Sequence, residues 1–289
     1  MLNLTDFKRD WFELAEEVDS YFITYWEERF EFLLEGTSEY KDSIKYSTLA
    51  GGKRFRPILA LYAGEALGVE KKKILAYAAA VEMIHSFSLI HDDLPCMDDD
   101  DYRRGKLSNH KKFGEAIALL AGDGLVFEAV EIIKNHYFEE PKIALELIGS
   151  LMEASGSMGM IAGQVIDLHA QKEKLEIAEI EQVHLHKTGA LIRAAVDGPA
   201  ILAGATGIQR ESLREYGEQL GLAFQVKDDL LEVEEGKVEK GSYPGIIGVV
   251  AANRVLTEVS DNALRNLEHF DSSADRLRAM VEFNRKRDK

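Results

Sequence analysis

The sequence predicts an all-α fold on three observations: prolines are few, strand-like alternation is missing, and apolar residues recur at helical spacing. Only five prolines, Pro57, Pro95, Pro141, Pro199 and Pro244, interrupt the 289 residues. The stretches between them are rich in Ala, Leu, Glu, Lys and Ile, which favour helix. No strand-like run is bounded by hairpin turns, and no repeat of about 20–50 residues is found. No Ser/Gly/Pro-rich linker divides the chain, so one helical-bundle domain over residues 1–289 is expected.

The elements follow in order. Leu14, Val18, Tyr21 and Tyr25 recur at helical spacing near the N-terminus. Gly51-Gly52 breaks the chain, and Pro57 suits the first turn of the next helix. Residues 74–90 are apolar on nearly every side, the pattern of a helix buried at the centre of a bundle. Pro95 stops that helix, which puts Asp98 to Asp101 on the loop beyond its end. Gly156, Gly159 and Gly163 suit close helix contact. Leu256, Val259, Ala263, Leu267 and Phe270 mark one further helical face.

Composition excludes several classes. Apolar residues at 46% and charged residues at 30% are globular values. A net charge of −16 argues against a nucleic-acid partner, since phosphate backbones are held by clustered Lys and Arg. The single Cys96 allows no intrachain disulfide, which fits a reducing cytoplasm. The N-terminus has no basic region followed by an apolar stretch, so it does not read as a signal peptide. Ala76 to Ile90 is interrupted by Glu82 and His85 and is expected not to span a bilayer.

The strongest chemical signal is HDDLPCMDDDDYRRGK, residues 91–106. Asp92 and Asp93 stand where a buried helix emerges, with Asp98, Asp99, Asp100 and Asp101 close behind and Arg103, Arg104 and Lys106 after them. Two carboxylates about 4 Å apart repel by about 4 kcal/mol at an effective dielectric of about 20. Divalent cations offset that cost. Mg²⁺ takes one or two carboxylates and completes its octahedron with water and phosphate oxygens. A second acidic pair, Asp228 and Glu232, lies four residues apart in FQVKDDLLEVEE, with Gln225 one turn earlier on the same helical face. Such pairs are commonly solvent-facing; this one gains weight as the second acidic cluster of a helical chain. GGKRFRP, residues 51–57, sets Lys53, Arg54 and Arg56 at a helix start, where cations and backbone N–H groups attract phosphate. In HLHKTGALIRA, Lys187 and Thr188 can reach a phosphate, while His184 and His186 offer a weak metal-pair signal and read mainly as packing or surface residues.

In this order, GGKRFRP, HSFSLIHDDLPCMDDDDYRRGK, HKTGALIRAA, FQVKDDLLE and KGSYP resemble the trans-isoprenyl diphosphate synthases (polyprenyl synthetases), particularly the bacterial farnesyl-length ones. The resemblance runs from about residue 50 to about 250, with a fainter echo in the basic end FNRKRDK. It implies an isoprenoid-synthase bundle around a central substrate cavity. It also implies Mg²⁺, in three ions for which Mn²⁺ can substitute, held by Asp92, Asp98 and Asp228 with support from Asp93, Asp229 and Glu232. Arg103, Lys187, Thr188, Gln225 and Lys240 resemble residues that grip or face the allylic diphosphate. Lys53, Arg56, His85 and Arg104 resemble the isopentenyl diphosphate site. Phe87, five residues before Asp92, and its neighbour Ser88 stand where the family sets chain length, and Phe87 also reads as plain core. A homodimer is implied too.

The implied reaction ionises the allylic carbon–oxygen bond, and the isopentenyl double bond attacks the resulting cation. No protein nucleophile is needed, so the cavity is expected to be apolar and dry. Two departures stand out. Glu232 replaces the family's aspartate, and the segment between Asp229 and Tyr243 is short. Lys240 matches the lysine before the Ser-Tyr-Pro turn, and Lys237 is a loose candidate for a second one. The alternatives are a geranylgeranyl-length synthase, a catalytically silent subunit of a heteromeric prenyltransferase, a terpene cyclase and an acidic calcium-binding scaffold. A cyclase has no second diphosphate to occupy Lys53, Arg56 and Arg104, and the aspartates do not follow an EF-hand pattern.

Overall fold

The computed structural model of the chain describes residues 4–31, 34–170, 177–234, 236 and 242–288. In chain order these form α1 (Leu4–Phe30), α2 (Ser38–Thr48), α3 (Phe55–Ala66), α4 (Lys71–Asp92), the strands β1 (Tyr102–Arg103) and β2 (Lys106–Leu107), α5 (Asn109–Phe113), α6 (Glu115–His136), α7 (Pro141–Ser155), α8 (Met160–Ala170), α9 (Ile177–Val183), a π-helical turn (His184–Gly189), α10 (Ala190–Leu202), α11 (Gly207–Glu234), α12 (Tyr243–Ile247), α13 (Val249–Arg265), a 3₁₀ turn (Ser272–Ala274) and α14 (Asp275–Lys286). The all-α expectation holds. The one exception among the described residues is the antiparallel β1–β2 pair, two residues per strand. Its turn residues Arg104 and Gly105 both have positive φ, 53° and 74°, as a two-residue hairpin of this hand requires.

The chain divides into two compact units, each discontinuous in sequence. The first comprises Arg9–Ile58 and Leu75–Ile148; the second comprises Met1–Lys8, Leu59–Ile74 and Gly149–Lys289. The divisions fall inside α1, α3, α4 and α7 rather than in linkers.

In the first unit, α1 buries Val18, Phe22, Trp26 and Phe30, a stripe at i, i+4 spacing. Of the residues expected on that face Val18 is fully buried, while Leu14, Tyr21 and Tyr25 flank the stripe half-buried. Burying each large side chain contributes about 1.5–3 kcal/mol, and Trp26 keeps its indole N–H satisfied by donating to Thr48 Oγ1 at 2.9 Å. The helix expected over residues 74–90 is α4, where Ala76, Ala78, Ala79, Ala80, Val81 and Ile84 are all buried. By length and composition α4 is a candidate span, so its two polar interruptions do not exclude one by themselves. Two thirds of its apolar window (67%) is buried within the protein, the mark of a core helix. Pro57 lies in the first turn of α3, and α4 stops before Pro95, as expected.

In the second unit, α11 packs along α10 and α13. Ala223, Val226 and Leu230 of α11 meet Ala252, Leu256 and Val259 of α13 in one buried cluster with Ile180 and Tyr243. Leu267 and Phe270, expected to continue that helical face, are buried just past the end of α13. Close approach depends on glycine. A Cβ on Gly163 of α8 would stand 2.2 Å from the Lys187 nitrogen, and one on Gly221 of α11 would stand 2.9 Å from the Gly189 Cα. Two helices therefore press against the π turn, and Gly163 plays the contact role expected of it. Asp197, buried on α10, accepts from Arg210, Arg214 and Ser150 at 2.7 Å each. Burial alone would raise its pKa, but those donors hold it down to about 2.

Candidate active site

The first unit carries the end of α4. Asp92 is its last residue, and the loop folds straight back, since the Asp98 N–H donates to the Asp92 carbonyl at 2.9 Å. Turns through Leu94 and Met97 and a positive φ of 52° at Asp99 make the reversal. The adjacent pair then splits. Asp92 is half-exposed, whereas Asp93 is 2% exposed and accepts from Arg103 Nε at 2.9 Å. Burial pushes the Asp93 pKa up and Arg103 opposes the shift. Arg103 also reaches Asp100 at 2.9 Å, and Lys111 pairs with Asp101 at 2.7 Å. Asp93, Asp100 and Asp101 are thus paired with the run's own bases, while Asp98 is exposed on the loop and Asp92 half-exposed at the helix end.

Beside this lies a cationic cluster. Gly51 and Gly52 have φ of 78° and 116°, and Arg54 follows at 48°. A Cβ on Gly52 would meet the Arg104 guanidinium carbon at 2.7 Å, and that guanidinium donates to the Gly51 carbonyl. Arg54 takes no outward part. It is 2% exposed and bonds Asp19, Glu82 and the Thr48 carbonyl. The Lys53 carbonyl accepts from Trp11 Nε1 at 2.7 Å, fixing the loop. Burial, reinforced by Arg56, Arg104, Arg54 and Arg103, holds the His85 pKa well below its ordinary value, so the ring is neutral. Of the residues expected to bind isopentenyl diphosphate, Arg56, Arg104 and His85 come together, with Lys53 on the same loop. The hairpin carrying Arg103 and Arg104 is pinned to α2: Tyr46 donates to the Leu107 carbonyl, and buried Asn109 bonds Ser43 and Ser47. Phe87 lies edge-on to His91, 5.1 Å between centroids, and Ser88 donates to the His85 carbonyl.

The second unit carries α11 and the π turn. Lys187 and Thr188 fall inside the π turn, a local unwinding common at functional sites. Lys187 Nζ bonds Asp167 at 2.6 Å, and Thr188 is buried. Gln225 contacts His184 Nδ1 at 3.3 Å, and His184 stacks on Tyr243. His184 is therefore a packing residue, as expected, and burial lowers its pKa to about 4. Asp229 accepts the Tyr243 backbone N–H at 2.9 Å, so it anchors the turn into α12. Asp228 pairs with Arg287 at 2.6 Å, and Glu232 is half-buried one turn on. Lys237 and Lys240 lie outside the described residues. Sequence reasoning missed Asp167 and Arg287; for the latter, the basic end FNRKRDK was the available signal.

Among the described residues no group of three or more His, Cys, Asp or Glu is gathered as a metal cage. The donor chemistry nevertheless fits magnesium. Asp92, Asp98 and Asp228 offer hard carboxylate oxygens, and Mg²⁺ draws only one or two of these, taking its other ligands from water and phosphate.

The family model for polyprenyl synthetase matches residues 37–243. A farnesyl diphosphate synthase of Geobacillus stearothermophilus is 41% identical over 269 residues, covering 88% of this chain and 91% of the relative. A chloroplastic geranylgeranyl pyrophosphate synthase of Capsicum annuum is 42% identical over 245 residues, covering 80% of this chain and 66% of the relative. The crystal structure of an FPP/GFPP synthase from Zymomonas mobilis superposes with a TM-score of 0.89 at 33% identity, covering 97% of this chain and 99% of that one. With most of its length matched at this level, the chain belongs to the polyprenyl synthetase family.

Proposed function

We propose that the chain is a magnesium-dependent prenyltransferase that condenses isopentenyl diphosphate head-to-tail with dimethylallyl or geranyl diphosphate, yielding farnesyl diphosphate and pyrophosphate. The observation that carries this reading is the juxtaposition in the first unit. The loop folds back so that the Asp98 backbone bonds that of Asp92, the last residue of the same helix whose His85 lies among Arg56 and Arg104. Carboxylates poised for cations and arginines poised for phosphate are what two diphosphate substrates demand. The farnesyl diphosphate synthase relatives support the product.

Three magnesium ions, replaceable by manganese and held by Asp92, Asp98 and Asp228, would neutralise the departing diphosphate. Asp93 acts one step back, fixing Arg103, and Asp229 and Glu232 complete the acidic face of α11. Arg103, Lys187, Thr188, Gln225 and Lys240 grip the allylic diphosphate, whose carbon–oxygen bond breaks with its electron pair left on oxygen. Lys53, Arg56 and Arg104 hold the isopentenyl diphosphate, and neutral His85 offers it an N–H without adding charge. The isopentenyl double bond attacks the allylic carbon, and proton loss restores an alkene.

Phe87 and Ser88, one turn below the carboxylates, set the length of the growing chain. A geranylgeranyl product is the second reading, favoured by the similarity to the Capsicum annuum synthase. The chain works as a single cytoplasmic domain in a homodimer. Exposed Leu120 and Phe127, seven residues apart on α6, supply an apolar stripe for a second copy. One assay tests the function: incubation with Mg²⁺, isopentenyl diphosphate and each allylic diphosphate, with products resolved by chain length. A fifteen-carbon product is expected. A twenty-carbon product supports the second reading, and no turnover supports a silent subunit.

A further inference from the structure

α14 ends on a contact that the reaction scheme above does not use. The Arg287 side chain is 4% exposed, and its guanidinium reaches the Asp228 carboxylate at 2.6 Å. Three further contacts seat it. Nη2 donates to the Phe224 carbonyl at 3.0 Å, Nε donates to Asn284 Oδ1 at 2.8 Å, and the guanidinium lies over the Phe224 ring, 4.4 Å from its centroid. Phe224 and Asp228 are one turn apart on α11, so Arg287 is laid along the helical face that presents Asp228.

The pair is charge-assisted, yet the Asp228 side chain remains 39% exposed and open to another cation. A divalent ion on the same carboxylate would stand a few Å from the guanidinium, and two cations at that distance repel. Each must therefore weaken the other, and by the same factor.

We infer that Arg287 is an internal counter-cation for Asp228, displaced when a divalent ion binds there, so that metal loading releases the C-terminal end of α14. The inference rests on Asp228 being a metal ligand, as proposed above. Arg287 is in this sense a positioning residue: seated, it holds Asp228 against α11 and relieves the crowding of Asp228, Asp229 and Glu232; released, it leaves the carboxylate to the metal.

The test is Mn²⁺ binding to the full chain with inorganic pyrophosphate, followed by the electron paramagnetic resonance of free Mn²⁺. Arg287→Met is expected to tighten binding roughly fivefold, the scale of a partly exposed ion pair, while Arg287→Lys stays near the parent. Asp228→Asn is expected to weaken binding, and adding Arg287→Met to it should gain nothing. Unchanged or weaker binding in Arg287→Met, with Asp228→Asn still impaired, overturns the counter-cation role alone. Undiminished binding in Asp228→Asn overturns both this role and the ligand reading. Hydrogen exchange on the parent protein needs no variant: amides near the end of α14 should exchange faster once Mn²⁺ is added, and unchanged protection there overturns the release.

Discussion

The two acidic regions look alike in sequence and are built differently. At the end of α4 the aspartates are managed locally: Arg103 and Lys111, within about ten residues of their partners, pair with Asp93, Asp100 and Asp101, beside the half-exposed Asp92 and the exposed Asp98. On α11 one partner comes from far along the chain: Asp228 takes Arg287, just past the last helix, whereas Asp229 takes the Tyr243 N–H from the helix that follows, and Lys187 of the π turn is held by Asp167 of α8. A self-contained loop can be read from its own residues, whereas a site assembled from distant helices cannot.

The largest effect expected is at the self-contained region. Asp92→Ala should lower kcat on the order of 10³-fold, the cost of losing a group that stabilises charge growing in the transition state, while far-UV circular dichroism is unchanged. Near-parental turnover would break the comparison, because it would make Asp92 dispensable to the chemistry assigned to this region. Next comes the cationic cluster. Arg104→Met should reduce kcat/KM for isopentenyl diphosphate roughly 10- to 100-fold by removing a charge-assisted contact, with a smaller change for the allylic substrate. Gly52→Ala should act in the same direction. Its Cβ would meet the Arg104 guanidinium, and its φ of 116° suits only glycine. A steady-state comparison of the two substrates checks both variants.

This division also explains what was legible beforehand. Pro95 stopping α4, the buried alanine-rich face of α4 and the exposed loop position of Asp98 all follow from short-range rules of helix termination and amphipathicity. The inward turn of Asp93 was not legible, because it depends on Arg103 arriving from a two-residue hairpin too short to leave a strand pattern. The π turn at His184–Gly189 was hidden for a different reason: α8 and α11 press on it through Gly163 and Gly221, contacts between residues far apart in sequence. Arg54 carried the same charge as Lys53 and Arg56 in the sequence. Only the buried Glu82 beneath it shows that it holds the loop rather than facing a ligand.

A smaller effect sharpens the reading of chain length. Phe87→Ala removes the ring that lies against His91 one turn below Asp92, so products longer than farnesyl should accumulate with little loss of the first condensation. Chromatography of the dephosphorylated products checks it, and an unchanged distribution would return Phe87 to the role of core packing.

A last effect leaves turnover aside and concerns stability within the second unit, where two buried groups have depressed pKa values that act in separate pH windows. His184 is lowered to about 4 mainly by burial, with Lys187 adding to the shift and Asp167 opposing it. Above its unfolded value of about 6.5 the ring is neutral in both states and costs nothing. As pH falls from about 6.5 towards 4, the unfolded chain takes up a proton that the folded one refuses, and stability drops by on the order of 3 kcal/mol. Asp197, held near 2 by Arg210, Arg214 and Ser150, stabilises the fold above its unfolded value and loses that contribution only below about pH 4. Denaturant unfolding of the metal-free protein at stepped pH should therefore show two descents. His184→Gln, which keeps a polar group beside Gln225 without a titrating ring, should flatten the upper descent and leave the lower one in place. If the upper descent persists in that variant, the buried imidazole of the π turn is not its source, and neutral His85 in the first unit becomes the group to change.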